Sequence, residues 1–422
     1  MSSPSRPPGR SGGRSFKKPL SHVGRPGAMR FAGQARWREP LERAMRPPEG
    51  FDERALTHGF HAWPARLHPF TARALIALAP AGAIADPFMG GGTTPLEALL
   101  AGRQAIGNDL NPIALEVAWT RTRRGAPKLV GRAKALAREA EALTEAPIDP
   151  AFVQAVGAWF DPVALHEVWA LRSVVLGELH RRGDDVGRIL RAALSSIVVK
   201  VSRQVSDSVP KIDREARGRS PRGQVFRWFV GRVAELEDQL AALARAVPRG
   251  APEPRLALGD AREAPADLPA IGAVISSPPY PGVYDYLHHH LVRCAVLDLP
   301  ATAAARDEIG ARRVHERTGR EQADRRYVED LGRVLAAWSP TLAPDGFVAL
   351  VVGDGQLGAE VIPVLPMVAA AASQAGLAVV ASLSDARPTF GPGKKRGPPK
   401  DEHLVLLQGK AASRSASGPT TT

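Results

Sequence analysis

Ala83-Ile84-Ala85-Asp86-Pro87-Phe88-Met89-Gly90-Gly91-Gly92-Thr93-Thr94-Pro95 is the stretch that decides the fold. A short apolar run ends in an acidic residue, then in a glycine-rich loop. A helix follows, with Pro95 at an early position where its missing N–H costs nothing. Gln104-Ala105-Ile106-Gly107-Asn108-Asp109 then reads as a second strand, which closes a βαβ unit in under about 30 residues. Glycines after a strand let a ligand approach the backbone, and the helix start favours negative charge. Asp109, at the end of the second strand, stands where an acid can hold ribose hydroxyls. The loop is not a phosphate P-loop, because Gly-Lys-Ser/Thr is missing, and Pro95 stands where the third glycine of G-x-G-x-x-G belongs. A nucleoside-type cofactor fits this unit; a tight turn without a ligand is the plain alternative.

Working outward, the pattern changes at 112. Helical candidates run over 112–122, 128–145, 162–181, 186–203 and 223–247, and 202–224 reads as a polar, basic loop. Strands resume at 255–258 and 273–275. A polar helical stretch covers 301–339. A continuous apolar strand at 346–352, a helix at 361–375 and strands at 377–383 and 403–408 follow. Strands alternating with helices predict an α/β, doubly wound sheet with a helical insertion. The divisions are a disordered basic tail (1–50), a first cofactor-binding part (51–111), the helical insertion (112–250), a second catalytic part (251–410) and a disordered C-terminus (411–422).

Composition narrows the class. The chain has 422 residues, 56 Lys+Arg against 43 Asp+Glu, and a formal charge of +13. Its single cysteine, Cys294, excludes an internal disulfide framework and any multi-cysteine zinc module. The longest apolar candidate for a membrane span, 361–381, is broken by two prolines, a Ser and a Gln. The expectation is a cytoplasmic, nucleoid-associated protein with no membrane partner. The positive charge is unevenly placed. Residues 1–48 hold 11 basic residues and two acids, residues 200–232 nine and three, and residues 394–422 six and two, which leaves the remainder at −6. An anionic polymer is the partner this distribution suits. The Pro/Gly-rich start is a poor match to the amphipathic helix of an organellar targeting peptide.

The second informative stretch is Ile275-Ser276-Ser277-Pro278-Pro279-Tyr280. Two prolines make a rigid turn whose carbonyls lack local donors. Ser277 and the Pro278 carbonyl can accept hydrogen bonds from an amino group, and the Tyr280 ring can stack on a planar base.

Together the two motifs resemble the S-adenosylmethionine (SAM)-dependent amino-methyltransferases that modify exocyclic nitrogens of DNA bases, of the cytosine-N4 and adenine-N6 type. Asp86, Pro87, Phe88, Gly90, Gly92 and Thr93 match the D-P-F-x-G-x-G-T loop. Ser277, Pro278, Pro279 and Tyr280 match the S-P-P-Y turn, in the form closer to the cytosine-N4 branch. The resemblance covers roughly 57–111 and 255–355 and implies a methyltransferase sheet with SAM as cofactor. It further implies Arg66, in His61-Ala62-Trp63-Pro64-Ala65-Arg66, as partner of the methionine carboxylate. Asp109 and Asn111 would hold the ribose end, and Asp260 the adenine amino group. Ser277, Pro278, Pro279 and Tyr280 would be catalytic, with Tyr280 holding a flipped base. DNA is the expected polymer and RNA the alternative, since tRNA guanine-N2 enzymes carry a related turn. A SAM-fold module that binds nucleic acid without turnover is the alternative from another class. The motifs name neither a target sequence, nor an oligomeric state, nor a restriction endonuclease partner.

The remaining features read more plainly. His288-His289-His290 cannot all face one ion from a helix, so no metal is expected. Cys294 reads as core. Lys394-Lys395-Arg396 with Lys400 is a phosphate-contacting loop or a solvated one. Phe226 and Trp228 offer aromatic surface in the basic segment.

Overall fold

The computed structural model describes residues 29–125, 128–213, 220–300, 308–357, 360–387 and 400–410. In chain order its first half runs β1 (Arg30–Gly33), α1 (Arg38–Ala44), α2 (Pro69–Leu78), β2 (Ala83–Asp86), α3 (Thr93–Leu100), β3 (Ala105–Asp109) and α4 (Pro112–Arg121). The middle holds α5 (Leu129–Glu141), α6 (Pro150–Val156), α7 (Pro162–Arg182), α8 (Asp185–Val201), the hairpin β4 (Gln204–Ser206) and β5 (Val209–Ile212), and α9 (Gln224–Ala246). Then come β6 (Arg255–Leu258), β7 (Ile271–Ser276), α10 (Tyr286–Leu297), α11 (Arg312–Thr318), α12 (Arg320–Trp338) and β8 (Leu342–Gly353). The chain closes with the hairpin β9 (Gly355–Leu357) and β10 (Glu360–Ile362), then α13 (Val364–Gln374), β11 (Leu377–Arg387) and β12 (Lys400–Gly409).

Eight strands form one sheet in the order β1-β11-β12-β8-β7-β2-β3-β6. Its middle is parallel: β3 pairs with β6, β2 with β3 and β7, and β7 with β8, in the register Ala85↔Val274 and Ser276↔Leu350. Strand β12 runs antiparallel between β8 and β11. This is a doubly wound α/β sheet. The chain leaves β2 toward β3 on one side, and β7 lies on the other. The crevice at that reversal, outside the carboxyl ends of the strands, is where such sheets bind ligands. The central strands are apolar on both faces, as a covered parallel sheet requires. In β8 the residues from Gly346 to Gly353 are all buried, and each larger side chain there contributes roughly 1.5–3 kcal/mol.

One face of the sheet carries α1 and α2, with Leu41, Leu75, Ile84, Phe347 and Leu404 in contact. The other carries α12 and α13, with Val274, Leu331, Trp338, Val348 and Val368. The middle helices make a core of their own from Leu136, Val175, Leu194, Val233 and others, and Val292, Cys294 and Leu297 of α10 belong to it. The insertion is therefore not a free module. The helix that follows the Ser277–Tyr280 turn is one of its walls.

Three expectations need correction. The tail read as disordered to residue 50 is folded from residue 29. β1 pairs antiparallel with β11, and Leu41, Ala44 and Met45 are buried; a three-residue apolar spacing in α1 was enough to dock it on the sheet. Residues 1–28 and 411–422 lie outside the described residues, as does Lys394-Lys395-Arg396. The stretch read as a loop over 202–224 contains the β4–β5 hairpin. Phe226 is core, at 6% exposure, whereas Trp228 is exposed with Lys200 Nζ 2.8 Å over its ring.

Candidate active site

A pocket lies at the reversal between β2 and β7, with about 870 Å³ of empty space, open solvent included. Arg66, Asp86, Phe88, Gly90, Thr93, Asp109, Asn111, Asp260, Ser277 and Pro279 all line it. Residues more than 200 positions apart in sequence are thus gathered around one cavity.

Local chemistry explains their placement. Asn111 caps α4 by accepting from the Ile113 N–H (3.0 Å), and Pro112 occupies the first turn. Its Nδ2 is left buried without a partner, and so is Thr93 Oγ1 at the start of α3. Both residues line the pocket, and a buried polar atom left unpaired costs roughly 1–3 kcal/mol unless a ligand or water meets it. Asp109 holds the loop: its Oδ2 accepts from Gly90 N (2.8 Å) and its Oδ1 from Asn111 N (2.9 Å). Gly90 has φ +47°, and a Cβ there would stand 2.6 Å from Trp63 Nε1, so no side chain fits.

The site is electrostatically acidic. Burial pushes the Asp86 carboxyl up to about 7, against the opposing hydrogen bonds from Ser276 and Thr94. Burial likewise pushes Asp109 up to about 6. Burial would raise Asp260 as well, but Arg262 outweighs it and holds the carboxyl below its ordinary value. Arg262 donates from Nε to Asp260 Oδ1 (2.9 Å) and from Nη1 to Asp330 (2.7 Å). Arg66 is similarly engaged, with Nη1 donating to His58 O (2.8 Å) and Nη2 to Glu53 O (3.1 Å).

Three residues of the motifs fall elsewhere. Gly92, Pro278 and Tyr280 do not line the pocket. Gly92 starts α3 at φ +80°, where a Cβ would come within 2.6 Å of Ala118 Cβ; it serves helix packing, not ligand contact. Pro278 is buried behind the turn. Tyr280 is 3% exposed among Ile309, Tyr327 and Val352, and its hydroxyl donates to Glu402 Oε1 at 3.1 Å. The expectation that it stacks on a base is not met: a polar anchor on β12 draws the ring into the core.

Other contributors were invisible in the sequence. Arg121 is wholly buried and donates Nη2 to His58 O (3.1 Å) and His61 O (2.6 Å), and Nη1 to Gly91 O (2.5 Å), which locks the 57–63 segment onto the glycine loop. Burial lowers its pKa to about 9. Tyr286, Leu287, Glu308 and Ile309 also line the pocket. Trp63 stacks on His290 at 4.6 Å between ring centroids. Of the three histidines, His288 is exposed and the other two are buried. Cys294 is core, as read, and burial pushes its thiol up to about 12. Among the described residues, Asp354, Asp401 and His403 cluster closely enough to hold an ion. They bond one another instead: His403 Nε2 lies 3.2 Å from Asp354 Oδ1, Asp401 N donates to Asp354 Oδ2 (3.1 Å), and Arg30 pairs with Asp401. Among the described residues, no helix is long and apolar enough to cross a membrane.

No protein-family model and no curated protein matches the chain. Two solved structures are similar to parts of it. TrmN from Thermus thermophilus is 13% identical, with a TM-score of 0.30, over 81% of this chain and 49% of that one. The rRNA methyltransferase aviRa from Streptomyces viridochromogenes is 14% identical, with a TM-score of 0.29, over 90% of this chain and 99% of that one. The chain thus spans about half the length of the first. At these values neither structure bears on what this chain does.

Proposed function

We propose that this protein is a SAM-dependent methyltransferase that modifies an exocyclic amino nitrogen of a nucleic-acid base. The observation that carries the reading is the meeting of the Asp86–Thr93 loop and the Ser277–Pro279 turn in one pocket, with Thr93 Oγ1 and Asn111 Nδ2 unpartnered in its wall. Asp109 and Asn111 would hold the ribose of the cofactor, Thr93 and the Gly90 backbone its methionine end, and Phe88 with Asp260 its base. When bound, the cofactor supplies an electrophilic methyl group on a cationic sulfonium, a charge that buried carboxyls favour.

An exocyclic amine is a weak nucleophile because its lone pair is delocalised into the ring. Ser277 Oγ accepts a hydrogen bond from that amine and so favours a nitrogen whose lone pair is directed at the methyl group. The pocket walls fix the approach. A base inside a duplex must leave the stack to reach it.

The Ser form of the turn favours cytosine N4 in DNA, with adenine N6 next. Nothing in the pocket distinguishes a DNA base from an RNA base, so RNA is the second reading. Transfer of labelled methyl from SAM to DNA and to RNA, followed by nucleoside analysis, decides between them. N4-methylcytosine or N6-methyladenine in DNA is the result expected; an N-methylated nucleoside in RNA alone selects the second reading. SAM binding without transfer to either polymer overturns the enzyme.

A further inference from the structure

We infer that Glu308 is the proton acceptor of this site, an assignment that rests on the methyltransferase reading. Methylating a primary amine leaves a cationic nitrogen that must lose a proton, and neutral Ser277 is a poor base for it. Glu308 lines the same pocket as Ser277 and Pro279 and is 7% exposed. Its segment runs directly beside the turn. Gly282 N donates to Gly310 O (3.0 Å), and a Cβ on Gly310 would stand 3.6 Å from Pro279 O. Glu308 Oε1 accepts from the Tyr286 and Leu287 backbone N–H groups at the start of α10. Its Oε2 is buried and forms an ion pair with Arg313.

The charges facing it are few. Arg313 of α11 brings Nη2 to 3.2 Å of Oε2, and the same side chain reaches Asp285 Oδ1, also at 3.2 Å, in front of α10. The same pocket is lined by Arg66, Asp86, Asp109 and Asp260, the last paired with Arg262. Burial raises the Glu308 carboxyl to about 7, with Arg313 and the N–H bonds opposing and Asp285 adding to the rise. A base of this strength is matched to neutral pH. In the step, one N–H bond of the amine breaks as the nitrogen takes the methyl group, the N–H electron pair stays on nitrogen, and the proton forms an O–H bond on the Glu308 carboxylate. The nitrogen becomes neutral, and the carboxyl then passes the proton to water.

Glu308→Gln keeps an oxygen for the α10 N–H groups and removes the base. It is tested against wild type on whichever polymer the wild type methylates, in single turnover from pH 5.5 to 9. The wild-type rate is expected to rise through about pH 7 and level off. The variant is expected to be about 100-fold slower or more with that rise gone, and its SAM affinity by calorimetry is expected to match wild type. A second readout needs no turnover: in protein labelled with carboxyl-¹³C glutamate, one buried signal titrates near pH 7 and is missing in the variant. Glu308→Asp serves in both readouts if the Gln variant does not fold. A rate within about threefold of wild type, or no such signal, overturns the assignment and leaves the methyltransferase reading intact. A wild type that transfers methyl to neither polymer overturns both.

Discussion

The glycine loop and the Ser-Pro-Pro-Tyr turn sit at neighbouring strand ends, yet they follow their sequences to different degrees. In the loop, Asp86, Phe88, Gly90 and Thr93 reach the pocket, while Gly92 supports the backbone behind it. In the turn, Ser277 and Pro279 reach the pocket, but Pro278 and Tyr280 do not line it. The loop is shaped by local chemistry: a strand end, positive φ angles and a helix start. The turn's last side chain is placed by Glu402, which lies 122 positions away on β12. Short-range rules place backbone well; a long-range polar anchor can redirect a side chain against them.

The largest effect that would sharpen this contrast is expected at Gly92. Gly92→Ala puts a Cβ into Ala118 at a left-handed backbone, which costs about 1–2 kcal/mol in strain before any clash. SAM affinity is expected to fall by roughly 100-fold or more, with a lower Tm, although no side chain at this position touches the pocket. Unchanged affinity by calorimetry would mean that the loop is less constrained than its geometry requires.

Tyr280 is the next test, because it could break the comparison. Tyr280→Ala opens a cavity in the core and is expected to cost about 3–5 kcal/mol of stability, lowering turnover and SAM binding together. Tyr280→Phe removes the hydroxyl and its bond to Glu402 and is expected to keep turnover within about threefold. A drop of roughly tenfold or more for the Phe variant, at unchanged Tm, would place the ring and hydroxyl on substrate after all.

The smallest effect is a pH dependence shared by Asp86 and Asp109. Their folded pKa values lie above the unfolded value of 3.8, at about 7 and about 6. The folded state therefore holds more protons than the unfolded one between about pH 4 and 7, and stability is lost as pH rises through that window. A bound cation reverses this by favouring the ionised carboxyls. SAM affinity is expected to strengthen from pH 6 to 8 with proton release, read by calorimetry in buffers of different ionisation enthalpy. Proton uptake, or no dependence, would remove these carboxyls from the binding site.

Much of the molecule was legible in the sequence. The apolar run from Phe347 to Val352 is a doubly covered strand, and the helix read over 112–122 begins at Pro112, because both follow from periodicity and turn chemistry. The pocket residues of the two motifs were legible too. Glu308 and Arg121 were not. Glu308 sits in a polar helical stretch where no local pattern sets it apart, and only the backbone pairing of Gly282 with Gly310 brings it beside the turn. Arg121 looks like any arginine at a helix end until three backbone carbonyls surround it. The β4–β5 hairpin was hidden because a basic stretch rich in Ser and Gly carries no clear alternation.

The claim on which everything else depends is that one pocket takes the methyl donor. Calorimetric titration of SAM into wild type, Asp109→Ala and Thr93→Val tests it most directly. One site in wild type is expected, with affinity weakened about 10-fold or more in Thr93→Val and further in Asp109→Ala, at unchanged circular dichroism. No binding to wild type, or affinity indifferent to both substitutions, would contradict it.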